Sequence, residues 1–106
     1  MSELLKIDWD RVDMRKLPRR LRRLRWFLNT SEELLDIGWY PPQVQRSPHG
    51  IHVEVELWRG RLSPPEIVAL QAALGSDPVR ELLNLHRIRK GWRAWNVMFT
   101  DKEMKI

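Results

Sequence analysis

Two aspartates, Asp8 and Asp10, stand two positions apart at the end of the apolar stretch Leu4-Leu5-Lys6-Ile7. Residues i and i+2 of an extended strand project from one face, so both carboxylates would point the same way. That pairing suits a hard divalent cation such as Mg²⁺ or Mn²⁺, which takes a few oxygens from protein and completes its shell with phosphate and water. The plainer reading is of solvent-facing acids that pair with Arg11 or Arg15. His52 and Glu54 share a face in a second alternating stretch, where they offer a metal ligand, a phosphate contact or simply polar groups on a wet surface. A different chemistry lies between the two stretches. From Arg11 to Arg25 the chain carries eight basic residues against one acid, Asp13, a net +7 that leaves −2 for everything else. Arginine suits phosphate because its planar fork donates two hydrogen bonds at once, which makes Arg19, Arg20, Arg22 and Arg23 candidate phosphate contacts.

These groups need elements to hold them. Strand periodicity over Leu4–Asp10 puts Leu5, Ile7 and Trp9 on one face and Lys6, Asp8 and Asp10 on the other. Leu17, Leu21, Leu24 and Leu28 recur at helical spacing, which predicts a helix from near Pro18 with its leucines inward and its arginines outward. Thr30 and Glu33 stand at capping-box spacing and predict a second, short helix to about Asp36, broken by Gly38 and Pro41-Pro42. Gln43–Ser47 reads as extended, Ser47-Pro48-His49-Gly50 as a turn, and Ile51–Trp58 as the clearest strand. Ser63, Pro64 and Glu66 open a helix with an Ile67/Leu70/Leu74 stripe that Gly75 stops. Asp77 and Pro78 open another, carried by Leu82, Leu85 and either Ile88 or Arg89 to Gly91. A last strand is expected over about Ala94–Thr100. This order predicts one α+β domain spanning 1–106, a small ferredoxin-like or RRM-like sandwich with an antiparallel or mixed sheet and helices packed on one face.

Composition narrows the function classes. A chain of 106 residues, 42% hydrophobic and 31% charged, has room for one modest core. With no cysteine there are no disulfides, zinc fingers, iron–sulfur clusters or thiol nucleophiles. No apolar run approaches the roughly 20 residues that span a bilayer, and Met1–Lys6 lacks a signal-peptide pattern, so a cytosolic protein without a membrane partner is expected. The formal charge of +5 favours a polyanionic partner. Neither a phosphate-binding glycine loop nor a nucleophile elbow is present.

Lys6-Ile7-Asp8-Trp9-Asp10 followed by Ser47-Pro48-His49-Gly50-Ile51-His52-Val53 resembles, in order and strand context, two motifs of the archaeo-eukaryotic primase superfamily: an acid pair closing a strand, then a Ser-Gly-x-x-Gly-x-His-like entry into the next. The break Leu74-Gly75-Ser76-Asp77-Pro78, with Arg80 beyond it, is similar to one found in small primase-like proteins of archaeal viruses and plasmids. The resemblance implies that Asp8 and Asp10 bind metal and that Ser47 and His52 hold nucleotide phosphate, with Asp8, Asp10 and His52 as the catalytic set. Pro48 stands where the motif has its first glycine, and the chain is about half as long as a primase core, so the likeness implies shared fold more than primer synthesis. Any retained activity would be metal-dependent nucleotidyl transfer or nuclease action. A rolling-circle initiator is disfavoured, because two residues separate His49 from His52 and Tyr40 lies outside any helix.

Six tryptophans complete the reading. Most serve a small core, whereas Trp58, on the polar face of its strand, and Trp92, between Lys90 and Arg93, are candidates to stack unpaired bases. The leading expectation is therefore a small DNA- or RNA-binding replication protein of a mobile element that uses Arg19–Arg25, Trp92 and Arg93. The alternative is a homo-oligomeric interaction domain, such as a homodimer, built on Leu82-Leu83-Asn84-Leu85.

Overall fold

The computed structural model describes residues 3–96. In chain order it contains β1 (Leu4–Asp10), a 3-10 turn (Met14–Lys16), α1 (Leu17–Leu35), β2 (Gly38–Trp39), β3 (Gln43–Ser47), β4 (Gly50–Arg59), α2 (Pro64–Ala73) and α3 (Pro78–Arg89). β4 is the centre of an antiparallel sheet, with β1 on one edge and both β2 and β3 on the other. The expected α+β sandwich is present, and β1, α1 and the later strands form a split β-α-β arrangement. Among the described residues no helix is long and apolar enough to cross a membrane.

Strict alternation decides the sheet's two faces. Leu5, Ile7 and Trp9 of β1 and Ile51, Val53, Val55 and Leu57 of β4 are buried together with Leu24 and Leu28 of α1 and Ile67 of α2. The opposite face carries Lys6, Asp8, Asp10, His52, Glu54 and Glu56, half-buried or exposed. Register is fixed tightly at one end, where a Cβ on Gly50 would fall 1.9 Å from the Trp9 carbonyl oxygen. Only glycine allows β1 and β4 to meet there.

The expected helix near Pro18 forms, but the expected break at Thr30 does not. α1 runs unbroken to Leu35 because the hydroxyls that would have capped a new helix find partners inside this one. Thr30 Oγ1 donates to the Trp26 carbonyl (2.9 Å), and buried Ser31 Oγ donates to the Leu28 carbonyl (2.7 Å). Ser31 Oγ also accepts from the Trp39 indole (2.9 Å), and Glu32 accepts the Trp39 backbone N–H (2.8 Å), which ties the end of α1 to β2. α2 begins as expected, with a complete Ser63/Glu66 capping box. Gly75 and Gly91, both at positive φ, end α2 and α3 with paired 6→1 and 5→2 hydrogen bonds.

The free edge of β1 explains the rest. Among the described residues its outward backbone groups have no strand beside them and are bonded instead by the α2–α3 unit and the segment after it. Leu4 O accepts from Asn96 (2.8 Å), Lys6 N–H donates to Gln71 (2.8 Å), and Lys6 O accepts from Arg80 (2.6 Å). Asp8 N–H donates to Ser76 Oγ (3.2 Å), and Asp8 O accepts the Asp77 N–H (3.1 Å). Four side chains and the Asp77 N–H thus stand in for a neighbouring strand, satisfying an edge that would otherwise be a pairing hazard. A consequence is that α3 is turned over relative to its apolar stripe. Arg80, Glu81 and Asn84 are buried, while Leu82 is 67% exposed and Val79, Leu83 and Leu85 also face outward. The strand expected over Ala94–Thr100 is not seen in Ala94–Asn96, which are irregular, and its remainder lies outside the described residues.

Candidate functional site

Two constellations carry chemistry, one on α1 and one on the polar sheet face. Lys16, Arg19, Arg20 and Arg23 recur at i, i+3, i+4 and i+7 and so form one stripe of the helix surface. This stripe is one wall of a groove of about 610 Å³. Trp26 and Phe27 extend that wall by a turn, Trp9 and Leu24 contribute from the core side, and Ala73, Leu74 and Gly75 at the end of α2 form the other wall. No acid lines it. Trp9 is fixed there by its indole N–H, which donates to the Leu74 carbonyl (2.8 Å), and the Arg20 guanidinium lies over its ring at 5.4 Å from the centroid. The first turn of α1 has no side-chain cap, so its N-terminal dipole adds to the positive field of the groove.

The expected phosphate contacts therefore divide. Arg19, Arg20 and Arg23 converge on the groove, whereas Arg22 is exposed but does not line it. Lys16 and Trp26 join the set. Lys16 precedes Arg23, and Trp26 follows Arg19, by seven residues, the spacing in the sequence that puts all four on one helix face. Trp58 and Trp92 are exposed, as is Arg93, but none of them lines this groove. Trp58 sits at the far end of β4 with the Arg59 guanidinium 5.9 Å from its ring centroid.

On the polar sheet face, strand register brings the primase-like residues into two rungs that share that face. Asp8 lies opposite His52, which lies opposite Gln45; two rungs on, Asp10 lies opposite Gly50, which lies opposite Ser47. His52 Nε2 is 3.2 Å from Asp8 Oδ1. Burial pushes the Asp8 carboxyl above its ordinary value, opposed by the charges of His52 and Arg80. The Ser76-Asp77 break packs on the same residue through its backbone. A divalent-cation site does not follow. Asp8 already faces an imidazole and a buried guanidinium, and among the described residues no three His, Asp or Glu side chains are arranged to hold a metal ion. Asp8 and Asp10 offer two carboxylates, and among the described residues no third His, Asp or Glu joins them in a group that could hold a metal ion.

Behind Asp8 lies a buried polar network. Arg80 pairs with Glu81, whose carboxylate also accepts from Gln71 (2.6 Å) and Asn84 (3.2 Å), while Asn96 accepts from Arg80 (3.1 Å). The network ties α3 to α2 through Gln71, to β1 through the Lys6 carbonyl and to the segment after α3 through Asn96, which makes it structural. Burial pulls the Arg80 guanidinium below its ordinary value, and the neighbouring Glu81 and Asp8 oppose that shift. Comparison of the chain with protein-family models, with curated proteins and with solved structures returned no match.

Proposed function

We propose that this chain is a cytosolic nucleic-acid-binding module that holds the sugar-phosphate backbone along the first half of α1. The observation that carries the reading is the groove itself: four cations and two accessible aromatic side chains on one wall, and no acid lining it among the described residues. Phosphates are bound by charge with release of counterions, so affinity must fall with salt. Four neutralised phosphates predict a log–log slope of about −2.8 on single strands, an affinity loss of roughly 50-fold between about 50 and 200 mM salt. Anisotropy titrations of labelled DNA and RNA oligonucleotides at both salt concentrations test it; salt-independent affinity, or none, contradicts it.

The primase likeness enters this proposal as shared descent of a nucleic-acid-binding fold, for which the common sheet face of Asp8, Ser47 and His52 is the support. Primer synthesis is not part of it: among the described residues no group of three His, Asp or Glu that could hold a metal ion supports it. A role in replication of a mobile element is the setting that this likeness suggests.

A second reading rests on a separate observation. The outward leucines of α3 favour a protein-interaction domain, with Val79, Leu82, Leu83 and Leu85 at a contact between copies. Light scattering separates the two: a concentration-dependent dimer lost in Leu82→Lys, with no nucleic-acid affinity, replaces the first reading by the second.

A further inference from the structure

We infer that the α1 groove takes single-stranded nucleic acid, with an unpaired base laid against Trp26, in preference to duplex. This rests on the nucleic-acid reading above and narrows its ligand. Trp26 is 66% exposed, more than Trp58 or Trp92. It follows Arg23 by three residues and Arg19 by seven, so its indole shares a helix face with both guanidiniums. The core has no use for it: Leu24 and Leu28 supply the buried contacts of this stretch, and the only bond made at Trp26 among those of the described side chains is accepted by its backbone carbonyl. A large apolar ring held in water among cations is matched by a ligand with a flat π-face and an adjacent negative charge. Bases of a duplex have both faces covered by their neighbours; bases of a single strand do not.

Shape points the same way. A helix that reads duplex presents its side chains from an unobstructed convex face that enters a major groove about 12 Å wide. Here the basic stripe faces a wall formed by Ala73, Leu74 and Gly75, and the groove is concave. Its volume of about 610 Å³ lies within the range of roughly 300–1,000 Å³ that encloses compact ligands. The small side chains of Ala73 and Gly75 let a flexible backbone approach from the α2 side while Arg19, Arg23 and Lys16 meet its phosphates.

The test compares an oligo-dT of about fifteen nucleotides, a length that covers typical single-strand sites, with the same strand paired to oligo-dA at one salt concentration. The single strand is expected to bind at least tenfold tighter and to quench tryptophan fluorescence. Trp26→Ala is expected to lower single-strand affinity roughly 5- to 150-fold, the equivalent of one lost stack, with an unchanged salt slope. Trp26→Phe keeps most of the affinity, and Arg23→Gln reduces the slope by about 0.7. Equal or tighter duplex binding, or no loss in Trp26→Ala, overturns this inference and leaves the nucleic-acid reading intact. Absence of salt-dependent binding to either form removes both.

Discussion

Replacing Arg80 by methionine tests why α3 is turned with its leucines outward. The guanidinium is completely buried and donates to Lys6 O (2.6 Å), Ser76 Oγ (3.2 Å) and Asn96 Oδ1 (3.1 Å) besides pairing with Glu81. Arg80→Met keeps the volume of an unbranched chain but leaves the Glu81 carboxylate buried without its cation, a loss typically of about 3–5 kcal/mol. It also removes the donor from the Lys6 carbonyl on the edge of β1, which by itself costs about 1–3 kcal/mol when that group stays dry. These losses overlap, so about 4 kcal/mol is expected in total. Set against the roughly 5–15 kcal/mol that stabilises a typical domain, this leaves so small a core close to unfolding. The double variant Arg80→Met with Glu81→Gln removes the orphaned charge and still offers an amide oxygen to Gln71 and Asn84; it is expected to recover about 2 kcal/mol. Urea unfolding followed by tryptophan fluorescence measures both, with m-values compared to confirm that the same surface is exposed. A cost under about 1 kcal/mol for the single variant, or a double variant no more stable than the single, would refute the view that this network seals β1 and sets the orientation of α3.

Other outcomes follow from the same geometry. Leu82→Gln is expected to change stability by less than about 0.5 kcal/mol, since the side chain is exposed; a cost of 2 kcal/mol or more in chemical denaturation would mean that α3 buries its leucines instead. Gly50→Ala is expected to cost about 3 kcal/mol or more, because the new methyl group meets the Trp9 carbonyl and not a movable side chain; near-wild-type stability would contradict the close approach of β1 and β4. Burial raises the folded pKa of Asp8, so the native state binds its proton more tightly than the unfolded chain does, and this contribution to stability is present at low pH and lost as pH rises from the unfolded value of about 3.9 through the folded one. Stability curves from pH 3 to 7 should therefore show Asp8→Asn gaining on the wild type as pH rises, and the reverse trend would assign the pairing with His52 more weight than burial. The capping-box carboxylate behaves oppositely: hydrogen bonds from Ser63 hold Glu66 below its ordinary value, so its contribution is present above the unfolded carboxylate range and fades as pH falls through the folded pKa.

Much of this fold is legible where one residue type answers one local demand. Alternation located β1 and β4, and Ser63, Pro64, Asp77, Pro78, Gly75 and Gly91 marked the ends of α2 and α3 because caps and left-handed turns are short-range chemistry. The reading failed where a local signal had a rival. Thr30 with Glu33 has the spacing of a cap, yet a threonine hydroxyl inside a helix is equally satisfied by the carbonyl four residues back, and the Leu17–Leu28 stripe continued through it. α3 failed for a longer-range reason. Its leucines have the period of a buried face, but the edge of β1 presents backbone groups that need polar partners, and Arg80, reaching 74 positions back to Lys6, cannot be inferred from spacing. The candidate groove shows both kinds of legibility. Its arginines were evident from charge alone, whereas the contribution of Trp26 and the exclusion of Arg22 depended on which side of α1 meets the end of α2.

The most direct measurement of the central claim is an amide and indole chemical-shift map of the ¹⁵N-labelled protein titrated with a short oligonucleotide. Shifts are predicted to cluster on Lys16, Arg19, Arg20, Arg23, the Trp26 indole, Phe27 and the Ala73–Gly75 wall, with α3 and the Asp8–His52 face unmoved. Perturbations confined to the outward leucines of α3 or to the polar sheet face would place the interface elsewhere and contradict the account.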